Sequence, residues 1–127
     1  GVDPRPAALL ALVAPTDLTV LLHTPGWGAP LTAGYLACPS ADGCPAERLH
    51  DASPFLHVTA PAPPALFIYG ELDTLVPTVP HGTAIATAWS ARGQTATVIT
   101  VANTGHNLDR STVDQTTIDV FLDAIRR

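Results

Sequence analysis

Three short apolar runs divide the chain, and each of them ends at a turn signal. They cover residues 7–13, 65–69 and 97–101 and read AALLALV, ALFIY and TVITV. Short runs without polar alternation are typical of strands that are buried on both faces of a parallel sheet. Because alanine and leucine serve a helix equally well, the first run leaves a helix open as an alternative. The pattern predicts three buried strands.

An amphipathic segment follows each of the last two runs. Residues 79–92 form the first, with Thr78 as the predicted N-cap and Gly93 at the position where a helix commonly ends. Residues 113–126 form the second, and the preceding Ser111-x-x-Asp114 has the form of a capping box. The apolar faces consist of Ile85, Ala88 and Trp89 in the first and Ile118, Phe121, Leu122 and Ile125 in the second. Alternation of strand and helix predicts an α/β fold.

The connection between the first two runs, residues 18–64, is too long for a simple turn. It is rich in proline, glycine, alanine and threonine, which predicts either a cap or a disordered insert. Trp27, Tyr35 and Phe55 favour an ordered, partly apolar cap, and such aromatic side chains are also expected to anchor a long loop to the core. We therefore expect an ordered insertion.

Composition narrows the classes of partner. The 127 residues suit one domain, and eleven acidic residues against six arginines and no lysine give a net charge of −5, which argues against nucleic acid. The longest apolar run, residues 7–14, is far shorter than the roughly 20 residues of a membrane span. The chain contains no methionine, which fits a processed chain or a piece of a longer one.

Two residues that can carry chemistry follow neighbouring predicted strands. Asp73 comes four residues after the end of the second run, and His106 holds the corresponding place after the third. Since the carboxyl ends of parallel strands meet at one edge, His106 can donate its Nδ1–H to the Asp73 carboxylate, as in the orienting pair of a nucleophilic triad. A turn aspartate and an exposed loop histidine are the alternatives. Glu71 is a weaker candidate acid, because it is expected to face solvent or cap the next helix.

The remaining ligand-type residues do not predict a metal site or a cofactor. The other histidines, His23, His50, His57 and His81, have no mutual ligand spacing. Cys38 and Cys44 close a tight loop, for which a disulfide is favoured over two free thiols and over a metal site with His50. A disulfide would point to an exported protein.

The two motifs resemble those of the α/β-hydrolase fold, and more narrowly its esterase and lipase branch, which includes feruloyl-esterase-like and kynurenine-formamidase-like enzymes. YGELDTLVP resembles the family's strand-seven motif, in which Asp73 is the triad acid, and TGHNLD resembles its histidine motif, with His106 as the base. DPRPAALLALVAPTDL (3–18) and ASPFLHV (52–58) resemble the sixth strand and the return to strand seven. The resemblance implies that residues 1–127 are the C-terminal portion of one such domain, with three parallel strands adjacent in chain order, flanking helices and residues 18–64 as a cap insertion.

The chain departs from the family at the nucleophile. The family places its serine in G-x-S-x-G before the acid and the base. No serine here has glycine two residues before and after it, neither cysteine has such a setting, and no HGGG-type segment is present. The serines are Ser40, Ser53, Ser90 and Ser111. The expected partner is therefore the missing N-terminal half of the domain.

These observations lead to one functional hypothesis and two alternatives. The chain is expected to be part of a serine hydrolase that cleaves small-molecule carboxylic esters through an acyl-enzyme, without a cofactor. A serine peptidase of the prolyl-oligopeptidase type would use the same acid and base. A non-catalytic, hydrolase-like binding module would explain the missing nucleophile, although such a module has no chemical need for both Asp73 and His106.

Overall fold

A three-stranded parallel sheet forms the centre of the molecule. The computed structural model describes residues 6–109 and 111–126. The strands are β1 (Leu9–Leu12), β2 (Ala65–Gly70) and β3 (Ala96–Val101), in the spatial order β1–β2–β3. Both pairs are parallel, with Leu9 beside Ala65 and Ala65 beside Ala96. The predicted α/β fold and strand order are confirmed, and the first run is a strand rather than a helix.

Helices fill both connections between the strands, follow the last strand and pack on the sheet. They are α1 (Leu18–Leu22), α2 (Gly28–Tyr35), α3 (Ala46–Asp51), α4 (Thr78–Ser90) and α5 (Gln115–Ile125), with a 3-10 turn at Pro54–His57. The first three helices and the 3-10 turn lie between β1 and β2, so the long insertion is ordered. Across 6–109 and 111–126, no helix has both the length and the apolar character needed to cross a membrane.

Strand β2 separates two apolar clusters because its side chains alternate between the two faces of the sheet. Every residue of β2 is buried. Phe67 and Tyr69 pack on one side, in the larger cluster that includes Trp89 of α4. Leu66 and Ile68 pack on the other side, where residues of α5 complete a smaller cluster. Both faces of β2 are therefore covered, as its uninterrupted apolar run predicts. Strands β1 and β3 contain no buried residue, so the prediction that they are buried as well is wrong.

The insertion is attached to the core by leucines rather than by aromatic residues. Leu18, Leu21 and Leu22 of α1 are buried in the larger cluster. Phe55 packs against that cluster, but Trp27 and Tyr35 are 72% and 79% exposed, so the expectation that all three aromatics anchor the segment is wrong. The buried positions of α2 are small ones, Gly28, Thr32 and Ala33. A side chain on Gly28 would collide with the Leu21 carbonyl oxygen, so close packing of α1 and α2 leaves the large side chains outside.

The predicted N-cap of α4 is wrong. Pro77 occupies the cap position without a side-chain hydrogen bond, and Thr78 Oγ1 instead shares a 3.0 Å hydrogen bond with Thr100 Oγ1. Two features explain the difference. Val79 has a non-helical backbone (φ −106°, ψ 117°), and Pro80 has no N–H for a capping oxygen to accept.

The predicted capping box of α5 is also wrong, because its two residues have different roles. Asp114 is itself the N-cap and accepts from the Thr116 N–H at 3.0 Å. Ser111 Oγ donates to Asp109 Oδ1 at 2.6 Å in the preceding turn. Gly93, just beyond α4, has a left-handed backbone (φ 69°), which suits a helix-terminating glycine.

Candidate active site

The loop after β2 holds Asp73 rigidly. Its Oδ1 accepts from the backbone N–H groups of Leu75 and Val76, both at 2.9 Å, so the carboxylate forms its own turn. The Asp73 side chain is completely buried. Because a buried carboxylate needs partners for both oxygens, Oδ2 requires a donor from elsewhere in the chain.

The loop after β3 crosses the end of β2 at close range. The Leu72 N–H donates to the Thr104 carbonyl oxygen at 2.8 Å. A Cβ atom on Gly70 would overlap the carbonyl oxygens of Thr104 and Gly105, so only glycine permits this approach. The Gly70 position in the motif therefore has a structural reason: it lets the histidine loop lie over the acid loop.

Glu71 holds the same crossing rather than capping a helix. Its Oε2 accepts from the Asn103 N–H at 2.9 Å, and Asn103 has a left-handed backbone (φ 54°) at the turn out of β3. Glu71 is solvent-exposed, as the sequence suggests, but the expected alternative role as a helix cap is wrong. Its carboxylate positions the loop that carries His106.

His106 supplies the donor that Asp73 lacks. Its Nδ1 lies 2.9 Å from Asp73 Oδ2, and its side chain is 41% exposed whereas that of Asp73 is fully covered. Since a carboxylate can only accept, Nδ1 carries the proton and the neutral ring presents Nε2 as a base. This is the geometry of a carboxylate-oriented histidine that can move a proton to and from a group beside it.

A largely apolar cavity of about 390 Å³ opens beside His106. Its walls come from the end of β1, from α1 and α2, from the segment after α3, and from the acid loop. The lining residues are Val13, Pro15, Leu18, Leu21, Leu31, Thr32, Tyr35, Ala52, Pro54, Leu75, Val76 and His106. A ligand in this cavity would contact the insertion on one side and the histidine on the other.

The serines and cysteines have other roles where the structure describes them. Ser53 is fully buried, donates to the Leu49 carbonyl oxygen at 2.7 Å and accepts from the Leu18 N–H at 2.9 Å. Cys38 and Cys44 are joined by a disulfide in the loop between α2 and α3, which confirms that alternative. In 6–109 and 111–126, no hydrogen bond joins His106 to a hydroxyl or thiol.

The sequence did not identify His81 as a buried residue behind the acid loop. His81 is fully buried in α4; its Nδ1 accepts from the N–H groups of Thr16 and Asp17, both at 3.4 Å. Its carbonyl oxygen accepts from Thr16 Oγ1 at 2.7 Å. Burial lowers the pKa of His81, against the opposing fields of Asp17 and Asp73. The available signal was helical spacing, because His81 lies one turn before Ile85 on the apolar face.

Solved structures with a similar fold include three hydrolases. A bifunctional acetyl ester-xyloside hydrolase from Caldicellulosiruptor lactoaceticus has a TM-score of 0.70 at 15% identity, with 96% of this chain and 41% of that chain covered. A puromycin-hydrolyzing peptidase of Mycobacterium tuberculosis has 0.66 at 17% identity, with 93% and 17% covered. A truncated carbohydrate esterase from gut microbiota has 0.64 at 20% identity, with 95% and 43% covered. No family model and no curated protein sequence matches the chain.

The fold is that of the C-terminal part of an α/β hydrolase. The chain spans less than half of each of these three structures. Within that fold, the structural neighbours are mainly esterases and carboxylesterases, which the family resemblance of the two sequence motifs predicts.

Proposed function

We propose that residues 1–127 are the acid–base portion of a serine hydrolase that cleaves carboxylic esters through an acyl-enzyme. The observation that carries this proposal is the 2.9 Å contact between His106 Nδ1 and a buried Asp73 oxygen, at the edge of an apolar cavity. The names of the similar structures, an acetyl ester-xyloside hydrolase and a carbohydrate esterase among them, support ester chemistry. On this proposal residues 18–64 are the cap of the domain, and the N-terminal half supplies the nucleophile.

In the proposed reaction, His106 transfers a proton four times. Its Nε2 takes the proton of a serine hydroxyl as that oxygen attacks the ester carbonyl carbon, and then returns the proton to the leaving alcohol. In the second half of the reaction, Nε2 takes a proton from water as the water attacks the acyl-enzyme. It then gives this proton to the serine oxygen as the carboxylic acid product leaves. Asp73 stabilises the imidazolium that forms in each step, because its buried carboxylate faces Nδ1.

Amide hydrolysis is the second candidate. The similarity to a puromycin-hydrolyzing peptidase favours it, since a peptidase can use the same acid and base. A non-catalytic hydrolase-like module is the third, and it is favoured by the lack of G-x-S-x-G in the sequence.

Reconstitution separates the three candidates. Residues 1–127 alone should hydrolyse p-nitrophenyl esters no faster than the His106→Ala variant, because His106 then has no hydroxyl to activate. Joined to the upstream half of the natural polypeptide, the chain should hydrolyse esters in a His106-dependent manner. Faster turnover of matched anilides than of esters would establish the peptidase. If the joined protein binds ligands but shows no His106-dependent turnover of either, the catalytic proposal is wrong.

A further inference from the structure

Thr32 places an unpaired hydroxyl in the wall of the apolar cavity. The residue lies in α2, lines the cavity and is 1% exposed. Its Oγ1 is buried and has no hydrogen-bond partner within the part of the chain that the structure describes. A buried polar group without a partner costs free energy, so its position calls for an explanation.

Two threonines of α4 satisfy their hydroxyls locally. Thr83 Oγ1 donates to the Pro80 carbonyl oxygen at 2.9 Å, and Thr87 Oγ1 donates to the Thr83 carbonyl oxygen at 2.8 Å. Thr32 makes no such bond one turn back, although Gly28 lies at the corresponding position of α2. A valine at position 32 would have almost the same shape and no unpaired group. The hydroxyl is therefore unexplained by the packing of α2 alone.

A ligand in the cavity can reach this hydroxyl without a change in the backbone. Threonine in helices divides between two χ1 rotamers, and a ~120° rotation about Cα–Cβ moves Oγ1 into the position that Cγ2 held, while Cγ2 takes the position of the Cβ hydrogen. Thr32 and His106 both line the same cavity, so a ligand that reaches the base can extend to Thr32. The lining residues include no lysine or arginine, and most are apolar, which disfavours a charged group at this end.

We propose that Thr32 determines substrate specificity by donating a hydrogen bond to an uncharged oxygen on the apolar arm of the ester. The inference rests on the proposed function, because it assumes that the cavity beside His106 holds part of the ester. The arm can belong to the acyl group or to the alcohol, and a ketone, ether or hydroxyl oxygen satisfies the same requirement. A purely hydrocarbon arm of the same shape would leave the Thr32 hydroxyl unpaired and should bind less well.

Equilibrium binding tests this inference separately from catalysis. The probes are 5-oxohexanamide and 5-methylhexanamide, which differ by a carbonyl oxygen in place of a methyl group. In the natural polypeptide, the ketone should bind more tightly, and Thr32→Val should reduce the ratio of the two affinities by about tenfold. Thr32→Ser keeps a hydroxyl and should retain the preference. Thr87→Val, whose hydroxyl is already bonded within α4, controls for the substitution and should leave the ratio unchanged.

Kinetics with matched esters then distinguish the two arms. The acyl pair is p-nitrophenyl 5-oxohexanoate and 5-methylhexanoate, and the alcohol pair is the acetates of 5-hydroxypentan-2-one and 4-methylpentan-1-ol. A Thr32-dependent preference in either pair identifies the arm. A Thr32-dependent binding preference without hydrolysis would support the hydrogen bond from Thr32 to the ligand and would show that the proposed function is wrong. An equal loss of affinity for both amides in Thr32→Val, or equal affinities of the unaltered protein for the two amides, would overturn the inference.

Discussion

The two oxygens of Asp73 have different partners, and this division makes a sharp test possible. Oδ1 accepts from backbone N–H groups of its own turn, and Oδ2 accepts from His106. Asparagine can keep the first contacts through its carbonyl oxygen, but its amide cannot accept from Nδ1–H. On the proposed function, Asp73→Asn should lower kcat for ester hydrolysis by about 10⁴-fold in the chain joined to its upstream half, because the imidazole takes the wrong tautomer.

Asp109→Asn is the matched control for this substitution. Asp109 is also a loop carboxylate, and hydrogen bonds from Ser111 lower its pKa, but it bonds only within its own turn. Steady-state kinetics of the two variants should therefore differ by several orders of magnitude. Comparable rates for Asp73→Asn and Asp109→Asn would contradict the assignment of Asp73 as the orienting acid.

Gly70 and Gly105 lie where the loop after β3 crosses the end of β2, and alanine at these two positions should affect stability differently. Gly70→Ala should lower the free energy of unfolding by more than about 1 kcal/mol, because the new Cβ meets the carbonyl oxygens of Thr104 and Gly105. Gly105→Ala meets nothing within 4 Å and should be neutral or stabilising, since alanine restricts the unfolded chain. Denaturant unfolding of both variants measures the difference. Equal destabilisation would show that the close approach at Gly70 does not constrain this crossing.

The site residues that could be predicted are those that lie next to a strand in the sequence. Asp73 and His106 each follow a buried strand, and parallel pairing brings the two loops to one edge of the sheet. His81 and Thr32 could not be recognised in the same way, because their unpaired polar atoms depend on how separate helices pack. The predicted burial of Trp27 is wrong for the same reason, since the close contact of α1 and α2 decides which face of α2 is buried.

At the scale of elements, His81 joins α4 to the segment between β1 and α1, because its Nδ1 accepts from the N–H groups of Thr16 and Asp17. Burial lowers the pKa of His81, so the folded state disfavours the charged imidazole, whereas an unfolded histidine titrates near 6.5. The stability associated with neutral His81 is therefore fully present above pH 6.5 and is lost as the pH falls from 6.5 towards the folded-state pKa. The carboxylates of Asp17 and Asp73 oppose this shift but do not reverse it.

His81→Gln should consequently flatten the dependence of stability on pH. Between pH 7.5 and 5, the free energy of unfolding of the unaltered chain should fall more steeply than that of the variant, as measured by urea titration at each pH. His23→Gln removes an exposed imidazole and controls for the substitution itself. Parallel curves for the unaltered chain and His81→Gln would show that the buried histidine contributes nothing to acid sensitivity.

Helix boundaries were harder to predict than strands because capping depends on single backbone angles. The apolar runs of β2 and β3 remain recognisable wherever the exact ends fall. The start of α4, however, is displaced by the non-helical Val79, and the start of α5 is moved by the turn centred on Asp109. Neither feature has a signature in the apolar pattern.

At the scale of the whole molecule, β1 is one of the two edge strands of the sheet, and β3 is the other. Strand β1 pairs with β2 on one side, and no second partner occurs in the described residues; Leu10 and Leu12 are 40% and 42% exposed. Unpaired strand edges with apolar side chains promote association. Residues 1–127 alone should therefore self-associate, and Leu12→Lys should shift the chain towards the monomer in sedimentation velocity.

Val120→Lys is the control for this prediction. Val120 is 64% exposed on α5 and lies away from the strand edge, so the same added charge should change association less. An equal shift for the two lysine variants would show that net charge, and not the edge of β1, governs the association.

The position of β1 in the sequence has a consequence for recombination between related genes. Every residue that lines the cavity follows β1 in the sequence, and so do Asp73 and His106. A recombination event just before β1 would transfer the proton-relay pair and the wall that contains Thr32 as one block. On the proposed function and the proposed role of Thr32, hydrolases recombined at this point should therefore take their substrate preference from the parent that contributes this segment, whichever parent contributes the nucleophile.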